Sequence, residues 1–210
     1  LCSSPERFLR VAADGWCEAK PIKGTAARSA DSQVDADCAR ALAADPKTRA
    51  ENLMIADLMR NDLSRVCRPG SIRVPVLFGV ETYASVHQLV STVRGRLRPG
   101  RTAADLLAAC FPPGSMTGAP KPRTLEIIDR LEDRARGIYS GTLGWIGADG
   151  TADLAVVIRT LVLSRGEAPG TTTASIGAGG AIVADSDPAA EYEEMLAKLR
   201  APLPPGWRIG

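Results

Sequence analysis

The sequence predicts a soluble, globular chain that mixes amphipathic helices with antiparallel strands, and three observations carry that expectation. Asp45-Pro46 signals a helix start, with Met54, Ile55 and Leu58 recurring at helical spacing behind it. The stretch from Ile138 to Leu163 reads as two strands around a Gly147-Ala148-Asp149-Gly150 turn. With 45% hydrophobic and 24% charged residues over 210 positions, the chain is long enough to bury one large core.

Taken from the start, Ser3-Ser4-Pro5-Glu6-Arg7-Phe8 opens as though a strand or turn were already under way, so the chain reads as a fragment with structure missing upstream. Pro21-Ile22-Lys23-Gly24-Thr25 brackets an amine between Pro and Gly. Such an amine can serve as a nucleophile, although a surface turn with a solvated lysine also accounts for the pentapeptide. In the helix begun at Asp45, Glu51 lies on the apolar stripe, where a carboxylate must be paired, protonated or metal-bound. Arg60-Asn61-Asp62-Leu63 closes that helix. Ile72 to Val80, interrupted by Pro75 and preceded by Pro69, reads as edge strand or irregular extended chain. Tyr83 to Val93 is β-prone and holds His87, the only histidine.

Arg101 to Cys110 predicts a short amphipathic helix. The loop from Phe111 to Lys121 then leads into a helix carrying Leu125, Ile128 and Leu131. Backbone N–H groups at such a junction favour an anion. Lys121 stands between Pro120 and Pro122, unlike the lysine of a P-loop, which disfavours a nucleoside triphosphate. In the expected strand from Leu154 to Leu163, Arg159 calls for a carboxylate partner from the protein or from a ligand. After a polar loop from Gly166 to Gly170, a further strand is expected to contain Gly177-Ala178-Gly179-Gly180, where the backbone is open to a ligand. Asp187-Pro188 starts a last helix, with Tyr192, Leu196 and Leu199 on one side and Glu191, Glu194 and Lys198 on an adjacent one. That spacing lets both acids reach one ion, or leaves an ordinary solvated face with a Glu-to-Lys pair. Pro202-Leu203-Pro204-Pro205 reads as a linker.

A net charge of +2 with scattered basic residues, and 4% aromatic content, disfavour nucleic-acid binding. Five dispersed cysteines without C-x-x-C spacing point to a reducing, cytoplasmic setting. The apolar runs are too short to span a bilayer, and the N-terminus lacks the order of a signal peptide.

Ser4-Pro5-Glu6-Arg7-Phe8, Pro21-Ile22-Lys23-Gly24-Thr25, Glu51 to Leu58 with Arg60-Asn61-Asp62-Leu63, Gly118-Ala119-Pro120-Lys121, Ile158-Arg159-Thr160 and Ala190 to Glu194 together resemble the chorismate-utilising enzymes. The motifs run in order over nearly the whole chain. The resemblance implies an α+β fold, a sandwich of antiparallel sheets with helices on the outside. It also implies that residues 1–210 form the C-terminal portion of one chorismate-binding catalytic domain. Relatives making anthranilate, isochorismate or salicylate typically carry Ala where this chain has Lys23, whereas the lysine version resembles the aminodeoxychorismate, para-aminobenzoate branch.

The resemblance further implies Mg²⁺ held by Glu51, Glu191 and Glu194, with hard oxygen ligands suiting that ion. Lys23 would attack C2 of chorismate as the C4 hydroxyl departs, and ammonia would then resolve the covalent adduct at C4. Attack requires a neutral amine, so the expectation is a Lys23 pKa well below that of a free lysine, about 10.4. Glu6 is the expected general acid/base, with a raised pKa, and His87 assists near the ring. Tyr139 and Arg159, joined by backbone near Gly179 and Gly180, correspond to the clamp on the enolpyruvyl carboxylate, Ser115 to a hydroxyl contact and Lys198 to the lysine of the last-helix motif. Ammonia is expected from a glutamine amidotransferase partner, whose cysteine signature is not visible here. Two departures stand out: Met195, Leu196 and Ala197 replace the polar middle of the last-helix motif, and Ala26-Ala27-Arg28 replaces Arg-Pro-Arg after the Gly-Thr turn. Anthranilate synthase component I and a non-catalytic paralogue are the alternative readings.

Overall fold

The computed structural model describes residues 1–168, 170–184, 186–200 and Leu203. Its order is β1 (Arg7–Val11), β2 (Trp16–Ala19), β3 (Ile22–Ala27), α1 (Ser32–Ala44), α2 (Pro46–Ser64), β4 (Arg73–Thr82), β5 (Val86–Arg96), α3 (Ala103–Cys110), α4 (Lys121–Leu131), β6 (Thr142–Ile146), β7 (Ala152–Val156), β8 (Leu161–Arg165), β9 (Thr172–Ile176) and α5 (Pro188–Arg200). The architecture is α+β, with antiparallel sheets and helices outside them, as expected.

Seven strands form the main sheet. β5 is its hub: β3 pairs with its first half and β2 with its last residues along one edge, while β4 takes the other edge. From β2 the sheet continues through β1 and β7 to β6. β8 and β9 form a separate hairpin. β5 is buried at every residue from His87 to Val93, so side chains on both of its faces are covered and it does not show the alternation that marks a half-buried strand.

α2 begins where predicted: Asp45 caps it by accepting from the Thr48 N–H at 2.7 Å, and Pro46 fits the first turn. Its Ile55, Met59 and Leu63 join Leu9, Val93, Leu106 and Val156 in the core. α3 starts with a reciprocal capping box between Thr102 and Asp105. β4 is an edge strand with two register shifts around Pro75, as its prolines anticipated. All five cysteines are free thiols.

Several expectations are corrected. The strand expected from Ile138 begins only at Thr142, because residues 137–141 form turns. The strand expected from Leu154 to Leu163 is broken: β7 ends at Val156, and Arg159, at φ 47°, turns the chain toward β8. Gly177 to Gly180 follow β9 as loop instead of lying within it. The strand expected from Tyr83 starts at Val86, after a turn. α4 buries none of its apolar residues, and Leu131 is 76% exposed. On α5 Glu191 is the buried residue, Tyr192 is exposed, and Leu196 and Leu199 are half-buried. The proline-rich linker, apart from Leu203, lies outside the described residues.

Candidate active site

Lys23 sits where β3 departs from regular pairing. Ile22 lies opposite Val90 and Thr25 opposite Gln88, with a register shift between them that re-aims the Lys23-Gly24 pair. Gly24 adopts φ +82°, and a Cβ there would stand 2.3 Å from Thr48 Cγ2, so β3 is pressed against the first turn of α2. Fully buried Asn52 locks this approach. Its Nδ2 donates to Leu89 O at 3.3 Å and to Pro21 O at 3.5 Å, and its Oδ1 accepts from the Ser91 hydroxyl. The lysine that results is half-buried.

Glu6 lies just before β1 and is buried, its carbonyl accepting the Val156 N–H at 3.0 Å. Burial pushes its carboxyl up from the ordinary 4.5 to about 7, against the Ser115 hydroxyl and the positive charge of Lys23, which both favour the ionised form. A small cleft runs past Glu6, Pro21, Ile55, Met59, Gly114 and Ser115. Glu6 and Ser115, two expected site residues far apart in sequence, therefore share one pocket wall, and the charge of Lys23 is felt at Glu6.

The loop bearing Ser115 is anchored at both ends. Lys121 Nζ donates to Asp62 Oδ2 at 2.6 Å and to Cys110 O at 2.7 Å, and Arg136 Nη1 donates to Met116 O at 2.9 Å. Lys121 is thus committed to α2, and the Gly-rich junction does not present it to an anion. Burial raises the Asp62 pKa, with Lys121 opposing.

His87 is buried, with Nδ1 2.9 Å from Thr82 Oγ1 and Nε2 3.0 Å from Asp35 Oδ1. Asp35 in turn accepts from Arg28 Nε at 2.8 Å, which holds its carboxyl well below the usual range. Both ring nitrogens of His87 are occupied by protein groups.

A second cluster surrounds the glycine loop. The Tyr139 ring covers Gly177, where a Cβ would meet Cγ at 2.4 Å, and its hydroxyl would lie 3.0 Å from a Cβ at Gly179. Burial raises the Tyr139 pKa. A Cβ at Gly180 would lie 3.4 Å from Glu191 Oε2, so the loop links Tyr139 to the acids of α5. Among the described residues the Arg159 guanidinium has no hydrogen bond or ion pair to protein, so of the two expected sources of a carboxylate, protein or ligand, the protein supplies none there; its carbonyl accepts the Ser3 N–H at 3.2 Å.

The three expected metal ligands share one cationic neighbour. Glu191, 6% exposed, accepts from Ser186 Oγ at 2.6 Å and Lys47 Nζ at 2.9 Å, which hold its carboxyl below the usual range. Lys47 also feels the charges of Glu51 and Glu194. Glu51 is half-buried, not enclosed as its stripe position implied, and exposed Glu194 pairs with Lys198 at 2.5 Å. Lys198 thus serves the Glu-to-Lys pair. The donors suit a hard divalent ion in chemistry, while no three His, Cys, Asp or Glu side chains among the described residues stand close enough to enclose one. Sequence reasoning missed Lys47, Asn52, Asp35 and the Asp62–Lys121 pair. Only Lys47 left a signal, its four-residue spacing from Glu51.

The chain is 57% identical over 203 residues to aminodeoxychorismate synthase of Streptomyces pristinaespiralis, covering 97% of this chain and 27% of that protein. It is 51% identical over 199 residues to aminodeoxychorismate synthase component 1 of Klebsiella aerogenes, covering 95% and 43% respectively. The chain thus spans less than half the length of these relatives. Anthranilate synthase component I from Streptococcus pneumoniae superposes with a TM-score of 0.79 at 34% identity, over 96% of this chain and 43% of that one. Residues 1–204 match the model of the chorismate binding enzyme family, and the chain belongs to that family.

Proposed function

We propose that the protein to which this chain belongs aminates chorismate at C4, giving 4-amino-4-deoxychorismate and water. One observation carries the reading: a bulge in β3 holds the Lys23 amine within electrostatic reach of the buried Glu6 carboxyl, whose pKa of about 7 lets it carry a transferable proton near neutrality. Lys23 forms a bond to C2 while both ring double bonds shift, C1=C2 to C1=C6 and C5=C6 to C4=C5, and the C4–O bond breaks; Glu6 delivers the proton with which the hydroxyl leaves as water. Ammonia then bonds to C4, both double bonds shift back, and the Lys23–C2 bond breaks to return the amine. Ser115 orients the Glu6 carboxyl. Tyr139, Arg159 and the backbone of Gly179 and Gly180 hold the enolpyruvyl carboxylate, where the guanidinium of Arg159, without an ion pair among the described residues, is a ready partner. His87, fixed by Asp35 and Thr82, positions the ring. Glu51, Glu191 and Glu194 would be the residues to hold Mg²⁺, which when bound would supply Lewis-acid charge for the ring carboxylate. A glutamine amidotransferase chain or domain delivers the ammonia, and the product serves para-aminobenzoate and folate synthesis.

The likeness to a solved anthranilate synthase favours a second reading, direct attack of ammonia at C2 with Lys23 a bystander. Product analysis separates the two. The full-length protein with chorismate, Mg²⁺ and ammonia is expected to yield aminodeoxychorismate, and Lys23→Ala to lose that product. Anthranilate from both proteins would overturn the proposal.

A further inference from the structure

Two of the five thiols meet in the core. Cys17 stands in β2 opposite Val11 of β1 and Gly95 of β5, so its backbone is paired on both edges. Cys67 follows the end of α2. Its N–H donates to Leu63 O at 2.9 Å, its carbonyl accepts Arg98 Nε at 3.1 Å, and it forms an antiparallel bridge with Leu97. Gly95 is what lets the two side chains touch: a Cβ there would stand 2.7 Å from Cys67 Sγ and 3.2 Å from Cys67 Cβ, so Cys67 lies in the space that the missing side chain leaves. The sulfurs are 3.4 Å apart, the Cys17 thiol also reaches Gly95 O at 3.2 Å, and both residues are buried. A single buried cysteine needs no explanation beyond packing. Two sulfurs held in contact by fixed backbones 50 residues apart in sequence meet the first requirement for a cross-link. The pair is also asymmetric. The hydrogen bond from Cys17, aided by the Arg98 charge and opposed by burial, lowers the Cys67 pKa, while contact with Cys67 and burial raise that of Cys17. Cys67 is therefore the sulfur that ionises first.

We propose that Cys17 and Cys67 form a redox modification site, at which a hydroperoxide installs a reversible disulfide that ties β2 to the end of α2. With hydrogen peroxide, the Cys67 thiolate attacks one oxygen, the O–O bond breaks, and Cys67 becomes a sulfenic acid as hydroxide leaves. The Cys17 sulfur then attacks the Cys67 sulfur, the S–O bond breaks, and the Cys17 proton departs with that oxygen as water. In sum, two thiols and one peroxide give one disulfide and two waters, and a dithiol reductant reverses the step. Burial makes the reaction slower than oxidation of exposed Cys2, because the oxidant enters only through local opening. Neither thiol lines the cleft beside Glu6. The tie nevertheless joins the two elements that frame it, since β2 runs into Pro21 and Lys23 while α2 carries Asn52, Ile55 and Met59.

The test is a time course of full-length protein with hydrogen peroxide, stopped with catalase, alkylated in guanidinium and digested without reduction. Mass spectrometry is expected to find the Cys17 and Cys67 peptides joined, after Cys2 has reacted. Closing so long a loop constrains the unfolded chain, so the oxidised protein is expected to melt at least about 4 °C above the reduced one, and dithiothreitol to reverse both changes. Cys17→Ala and Cys67→Ala, shown to be folded by circular dichroism, are expected to lose the cross-link and the gain in melting temperature. Cys17 and Cys67 recovered as alkylated thiols once Cys2 is fully oxidised would overturn the inference. So would a link from Cys67 to Cys110, or a Cys67 that ends as sulfinic acid without joining Cys17. A Cys17–Cys67 link that leaves the melting temperature unchanged would overturn the tie between β2 and α2.

Discussion

Replacing Glu6 with Gln removes a carboxyl whose protonation is coupled to folding, and the effect has a definite sign. In the unfolded chain the group titrates near 4.5, whereas in the folded chain it titrates at about 7 because burial disfavours its charge. Below the unfolded value both states hold the proton and the group makes no difference to stability. Between the two values the folded state binds more protons than the unfolded one, so stability falls as pH rises, and above about 7 the full cost is present. The gap between 4.5 and about 7 corresponds to about 3 kcal/mol, at about 1.4 kcal/mol per tenfold change in proton affinity. Glutamine keeps the shape without the charge. Urea unfolding of wild type and Glu6→Gln at about pH 5 and about pH 8 should therefore show the variant gaining on wild type by about 2–3 kcal/mol across the interval. Subtracting one protein from the other cancels the remaining titrating groups. A difference that stays flat with pH would refute the buried, proton-holding carboxyl, and with it the proton donor of the proposed reaction.

Two further substitutions probe the framework that aims the site. Gly24→Ala adds a Cβ at positive φ against Thr48 and Leu42, and should cost about 2–4 kcal/mol in urea unfolding and lower amination more than chorismate binding; a loss under about 0.5 kcal/mol would mean that β3 is not pressed onto α2. Lys121→Met strands buried Asp62 and should cost about 3–5 kcal/mol, most of it recovered in the Lys121→Met, Asp62→Leu double variant; equal stability of wild type and single variant would show that the loop carrying Ser115 is anchored otherwise.

Local chemistry was legible in the sequence, and geometry that depends on pairing was not. The caps at Asp45 and Thr102 are short-range devices, so α2 begins at Pro46 as read, and α3 falls within the predicted 101–110 span. α1 escaped notice because only Leu42 of its residues is buried, which leaves no apolar stripe to find. The glycines after β9 looked like strand because nothing in their sequence reveals that Tyr139 will lie across them. Lys23 and Glu6 were picked out by resemblance to a family. The bulge that aims the amine, by contrast, is a property of register with β5, more than 60 residues away. The Glu6 carboxyl is buried partly by Pro113 to Ser115, which the chain supplies over 100 residues later. Leu131 of α4 and Leu143 and Trp145 of β6 are more than half exposed, which no local pattern in the sequence reveals.

The central claim is that Lys23 bonds to the substrate. Full-length protein incubated with chorismate and Mg²⁺ but no ammonia, then quenched and digested, should yield a peptide containing Lys23 that carries the mass of chorismate less water. Ammonia added before the quench should discharge it. An unmodified Lys23 peptide, in a preparation that still makes aminodeoxychorismate when ammonia is supplied, would contradict the account.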